Sequence, residues 1–94
     1  MDRLSIKAEE HLKKYGIKFI KNNYEWEDEE LNARHSISEK EIASNLAESM
    51  HISSMYEENG DLWICYTPTS YPVQISTNKN RTMAIFKAIK EIYG

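Results

Sequence analysis

The chain has 94 residues, 40% of them apolar, 29% charged and 11% aromatic, a composition that suits one small folded domain and excludes both disorder and a multidomain enzyme. Three glycines in the whole chain, Gly16, Gly60 and Gly94, leave nothing from which to build a glycine-rich phosphate loop or a dinucleotide-binding turn. The formal net charge of −3 conceals a segregation: residues 1–21 carry six bases and three acids, residues 22–61 two bases and eleven acids, and residues 62–94 four bases and one acid.

Asp2 is placed to cap a first helix whose apolar residues Leu4, Ala8, Leu12 and Tyr15 recur at helical spacing, with Gly16 as a left-handed stop before Ile17. Ile17 to Trp26 reads as irregular chain or a short strand, because Ile17 and Phe19 alternate and Asn22-Asn23 signals a turn. From Glu27 to His35 the acids come first and Arg34 and His35 last, the order that a helix dipole favours, and this predicts a short second helix. Ser38 with Glu41 forms a capping box, and Ile37 with Ile42 a hydrophobic staple, opening a helix over 39–50 whose apolar stripe is Ile42, Ala43, Leu46, Ala47 and Met50.

Asn59-Gly60, between ISSMYEE and DLWICYT, is the signal of a two-residue type I′ hairpin that pairs Glu58 with Asp61, Tyr56 with Trp63, Ser54 with Cys65 and Ile52 with Thr67. After a loop over Pro68–Tyr71, Pro72 opens a third strand, VQIST, which its missing donor confines to a sheet edge. A four-residue loop there pairs Tyr66 with Val73 and Ile64 with Ile75. Asn78 or Thr77 then caps a last helix with Ala84, Ile85, Ala88, Ile89 and Ile92 inward. One sheet face, Met55, Leu62, Ile64, Tyr66, Val73 and Ile75, is apolar enough to receive the flanking helices. The other, Ile52, Tyr56, Trp63, Cys65, Gln74 and Ser76, is mixed, with an aromatic pair at its centre.

With no internal repeat and no linker, the expectation is one domain over 1–94 of α+β class. It is a three-stranded antiparallel meander flanked by two helices (38–94) with a helical extension (1–36). The extension has its own apolar residues to bury, Leu4, Leu12, Phe19, Trp26 and Leu31, and the mixed sheet face is the nearest surface for them.

Residues 38–94 resemble the small α-β-β-β-α proteins of bacteriophages known as the phage ABA-sandwich family, through the stretch NGDLWICY, the strand VQIST and the helix TMAIFKAIKEI. The resemblance implies a fold and a phage or prophage origin. It carries no catalytic residues over to this chain, and residues 1–36 lie outside it.

The residues offer little chemistry of their own. His11, His35, His51 and Cys65 do not stand at the short spacings of a zinc site. Cys65 lacks the sequence context of a nucleophile and reads as a packed thiol, and a lone cysteine forms no intramolecular disulfide. The carboxylates of EWEDEE read as a solvated face rather than an acid/base pair. The reading is therefore a protein that is not an enzyme, with no catalytic residue, metal or cofactor. No run approaches the ~18 apolar residues of a membrane span, and the start MDRLSIKAEEHLKK is too charged for a secretory signal, which suggests a cytoplasmic protein.

Binding to a host protein with a basic surface, such as a defence enzyme or nuclease that it would inhibit, is the function expected. The acids Glu25, Glu27, Asp28, Glu29 and Glu30 would steer the encounter, and Tyr56, Trp63 and Tyr71 are residue types that dominate interface hot spots. The alternative is nucleic-acid binding. The order α-β-β-β-α also resembles double-stranded-RNA-binding domains, where a basic cluster at the start of the last helix grips phosphates, and Lys79 and Arg81 occupy comparable positions here. Against it, that cluster is thinned to two charges in an acidic protein. A homodimer through the Trp63 face, or through the edge strand at 72–77, is a further arrangement the pattern allows.

Overall fold

In the computed structural model, which describes residues 1–93, three helices alternate with two three-stranded antiparallel sheets. The elements are α1 (Ile6–Lys13), β1 (Ile17–Ile20), β2 (Asn23–Asp28), β3 (Ala33–Ser36), α2 (Glu39–Met50), β4 (Ser53–Glu57), β5 (Leu62–Tyr66), β6 (Gln74–Asn78) and α3 (Arg81–Tyr93). Sheet A is ordered β1-β2-β3 and sheet B β4-β5-β6. The α+β class holds, but a single meander with a helical extension does not describe the chain. Residues 17–36 form a sheet, so the order α-β-β-β occurs twice before α3 closes it.

The helix expected over Glu27–His35 is absent for a local reason. Only Leu31 and Ala33 are apolar there, too few for a buried stripe. Asp28 Oδ1 instead accepts hydrogen bonds from the amides of Glu30 (3.1 Å) and Leu31 (3.3 Å), and Asn32 adopts a left-handed conformation (φ 50°). A short acid that satisfies amides ahead of it favours a turn over a helix interior. The resulting four-residue loop joins Asp28 to its strand partner Ala33.

The loop over 58–61 is built the same way. The Glu57 carboxylate accepts from the amides of Asn59 and Gly60, Asp61 is left-handed (φ 50°), and Glu57 pairs with Leu62. Asn59-Gly60 therefore forms no type I′ turn, although Tyr56↔Trp63 and Ser54↔Cys65 pair as expected, because both loop forms keep the same register. The two-residue loop with both residues at positive φ lies at Lys21-Asn22 (φ 49° and 70°), between the paired Ile20 and Asn23.

The caps also moved. Ser5, not Asp2, caps α1, its Oγ accepting from the Ala8 amide, while Gly16 is left-handed (φ 75°) as expected. Asn80, rather than Asn78 or Thr77, caps α3 by accepting from the Met83 amide at 3.1 Å, and Asn78 accepts from the Asn80 amide one step earlier. Ser38 caps α2 as its sequence indicates. That helix ends with His51 left-handed and the Ile52 amide bonded to the Ala47 carbonyl (2.9 Å), a Schellman-type stop.

The three helices pack on one another, sheet A docks on α1 through β1, and sheet B docks on α3 through β5 and β6. The molecule is elongated, 46 × 25 × 22 Å. Leu12, Ile17, Tyr24, Ile42, Leu46 and Ile85 are its largest fully buried side chains, together with Cys65. Tyr24 is buried whole because its hydroxyl is satisfied, accepting from the Leu4 amide (2.8 Å) and donating to Glu9 (2.7 Å).

Sheet B presents to α3 its mixed face, and not the apolar face expected to receive the flanking helices. Cys65 and Ser76 are buried there, and Ser76 Oγ donates to the Ala84 carbonyl at 2.7 Å. A helix whose inward face includes Ala84 and Ala88 approaches closely where it meets the small Cys65 and Ser76, while its Ile85 and Ile89 join a core against which Trp63 and Ile75 also pack. Register contributes as well. A bulge between Cys65 and Tyr66 sets Tyr66 against Gln74 and Ile64 against Thr77, not against Val73 and Ile75, while β6 does lie at the sheet edge.

Candidate functional site

Met55, Leu62, Ile64 and Tyr66 consequently line a sheet face on which no helix of the described residues sits. Met55 is 51% exposed and Val73, at the base of the following loop, 62%. Leu62, Ile64 and Tyr66 are half-buried and lie outside the central cluster. The neighbouring polar side chains on this face are Ser53, Glu57, Gln74 and Thr77, and the one carboxylate, Glu57, is committed to its loop. Tyr71 projects from the same end at 89% exposure. An apolar face whose single charged side chain is Glu57 at its margin is unusual on a chain with 29% charged residues.

Around the β4 edge the surface continues into an aromatic cluster. Tyr56 meets Trp63 edge-on with ring centroids 5.5 Å apart, the geometry favoured by the ring quadrupoles. The Tyr56 hydroxyl donates to the Asp61 carboxylate, and this bond, with the nearby negative charge, raises the tyrosine's pKa. Arg81, the first residue of α3, places its guanidinium 5.8 Å from the Trp63 ring centroid and donates through Nε to Ser54 Oγ at 3.1 Å. Tyr56 and Trp63 are thus brought together as expected, and Arg81 joins them. Tyr71 stands on the separate loop after β5, and the nearby Lys79 is exposed in the turn before α3. Sequence reasoning missed the Arg81–Ser54–Trp63 contact. Its signal was Asn80 as a cap, which fixes Arg81 at the helix start beside the strand that carries Ser54.

The acids are dispersed over sheet A rather than gathered on a helix. Glu27 pairs with Lys18 (2.8 Å) and faces Arg34 across the ladder, and the lysine contact lowers its pKa. Asp28 is spent on its loop. Glu25 lies on β2 opposite Ser36, and Glu29 and Glu30 are exposed at the tip. Trp26 (39% exposed), stacked on His35, and Leu31 (74%) remain near this end. They do not cover sheet B as the sequence pattern suggested.

Two further clusters complete the polar inventory. His11 Nδ1 lies 2.7 Å from Ser49 Oγ and Nε2 3.2 Å from the Tyr93 hydroxyl, which ties α1 to α2 and α3. Burial, then the charge of Lys14, lowers its pKa. A groove of about 570 Å³ separates residues 1–5 from α3, floored by Leu4, Phe86 and Ile89, and Lys87 on its rim donates to the Thr77 carbonyl (3.0 Å). His35 and His51 stand apart on β3 and at the end of α2. Burial raises the Cys65 thiol, which holds it in the un-ionised, unreactive form. Among the described residues no three His, Cys, Asp or Glu side chains converge as metal ligands, and no helix is long and apolar enough to cross a membrane.

No family model, no curated protein and no solved structure matches the chain.

Proposed function

We propose that this is a protein-binding module, of the kind expected for a small phage-type accessory protein that engages and inhibits a host protein. The observation that carries the binding reading is the apolar face of sheet B around Met55, Ile64 and Val73, which the described residues leave uncovered. Burying it in a complex removes apolar area from water, and Tyr56, Trp63 and Arg81, on the other side of the β4 edge, are the residue types that supply interface anchors. The exposed acids Glu29 and Glu30 would add long-range attraction to a basic partner. The phage character rests on the resemblance of residues 38–94 alone. Nucleic-acid binding has weaker support, because its two residues Lys79 and Arg81 supply only two cations in an acidic chain, where phosphates along a backbone call for several.

The test is affinity capture from a bacterial lysate, with and without nuclease, comparing the protein with a Met55→Glu/Val73→Glu variant. Both positions are more than half exposed, so the melting temperature should hardly move. One stoichiometric protein that survives nuclease and is lost with the variant is the expected result. Capture that the variant leaves unchanged, or nucleic acid whose digestion releases everything else, would overturn the reading.

A further inference from the structure

Arg81 is half-buried, yet none of its hydrogen bonds or ion pairs within the described residues reaches a carboxylate. Its Nε points inward to Ser54, its plane lies near Trp63, and the cluster's own acid, Asp61, is taken by the Tyr56 hydroxyl. This leaves the two Nη groups without a protein partner among the described residues. Nε and the stem are fixed by the fold, so the outer edge of the guanidinium presents two parallel donors in a set orientation. That fork matches a carboxylate, and little further side-chain entropy is lost when it engages.

We propose that Arg81 receives the side-chain carboxylate of a glutamate or aspartate on the partner protein, with Trp63 and Tyr56 as the apolar wall beside it. The inference rests on the protein-binding reading and specifies the partner's chemistry at this point. A partly desolvated cation without a counter-ion is poorly compensated, and an incoming carboxylate restores what burial took from it. A chain terminus is the less suitable source, since termini are captured in nests of backbone amides, whereas the donors here belong to one side chain. Phosphates along a nucleic acid would call for several cations, and Lys87 is already turned to the Thr77 carbonyl. Met55 and Tyr56 are consecutive on the edge strand β4 and so face opposite sides of sheet B; a partner that meets both Arg81 and the apolar residues around Met55 has to wrap around that edge. The two ends of the molecule would then read opposite charges, acids at sheet A facing bases and Arg81 facing an acid.

The experiment uses a Trp26→Phe background, in which Trp63 is the one remaining tryptophan and its fluorescence reports the cluster. The protein is titrated with the capped peptide acetyl-Leu-Glu-Leu-amide, its glutamine counterpart, the glutamine peptide with a free C-terminus, and a 20-base-pair RNA duplex. The expected result is saturable quenching by the glutamate peptide, at least about tenfold weaker with glutamine. A similar loss is expected in Arg81→Lys, where a point charge replaces the fork. Equal affinity for glutamate and glutamine peptides, no saturation with either, or indifference to Arg81→Lys would overturn the proposal. So would binding confined to the free-terminus peptide, or to the RNA. The glutamate-to-glutamine comparison needs no change in the protein, so a poorly folded variant would not blunt the test. The titration uses purified protein, so its failure leaves the Met55/Val73 capture result standing, and failure of capture leaves the titration standing.

Discussion

The stretches α1-β1-β2-β3 and α2-β4-β5-β6 share an order of elements and are anchored by opposite means. Sheet B lies flush on α3, with Cys65 and Ser76 pressed against a helix face that includes Ala84 and Ala88. Sheet A reaches α1 through β1 and through a polar tether, in which the Tyr24 hydroxyl accepts from Leu4 and donates to a Glu9 that also pairs with Arg3. Small residues let a helix cover two strands at close range, whereas sheet A is held through Ile17, Phe19 and Tyr24 and leaves Leu31 and His35 exposed and Trp26 partly so. Sheet B, packed along two strands on α3, also carries the candidate site, and an interface built on a preorganised element loses less entropy when it binds.

The largest effect expected from this contrast is at Ile85, fully buried on α3. Ile85→Ala should cost about 2–5 kcal/mol in chemical denaturation, whereas Leu31→Ser at the exposed end of sheet A should change stability by less than about 0.5 kcal/mol. Comparable losses at the two sites would break the comparison.

Next is the tether. Tyr24→Phe strands the Leu4 amide and removes a donor to Glu9, a loss of about 1–3 kcal/mol. Amide exchange should quicken in β1 and β2 before it does in α3, and simultaneous quickening everywhere would mean that the two sheets open as one unit.

The smallest effect is at the three-helix junction. Burial first, then Lys14 and His51, hold the His11 pKa below its ordinary 6.5, with Glu10 opposing, so the unfolded chain binds that proton more readily than the folded one. His11 therefore contributes its full stability above about pH 6.5 and loses it as the pH falls toward the lower folded value. The urea midpoint should drop between pH 7.5 and pH 5.5, and the drop should shrink in His11→Gln. An unchanged drop would remove His11 from the account.

How legible this was in the sequence differs between the two halves. Ser38, the 39–50 stripe, the left-handed Gly16 and the Tyr56–Trp63 register could be read because each rests on contacts within a few residues or on a turn that conserves register. Residues 27–35 were misread because charge order suits a helix dipole equally well when Asp28 uses those residues to close a loop. The faces of sheet B were exchanged because counting apolar residues ignores how closely an alanine-bearing helix can approach. The Cys65/Tyr66 bulge, which shifts β6, leaves no mark in the alternation pattern. Of the site, Tyr56 with Trp63 was legible. Arg81 was noticed for its charge alone, since its attachment to Ser54 spans 27 positions.

Cys65, the only cysteine in the chain, sits with no solvent exposure beneath α3, and burial keeps its thiol protonated. An alkylating reagent can meet it only in the moments when α3 lifts from sheet B, so the labelling rate in native buffer counts those openings as a clock would. Trp26, stacked on His35 in sheet A, registers the loosening of that sheet by fluorescence once Trp63, the second tryptophan, is replaced by phenylalanine. The two residues thus give a separate gauge for each sheet, with which a partner's arrival can be timed.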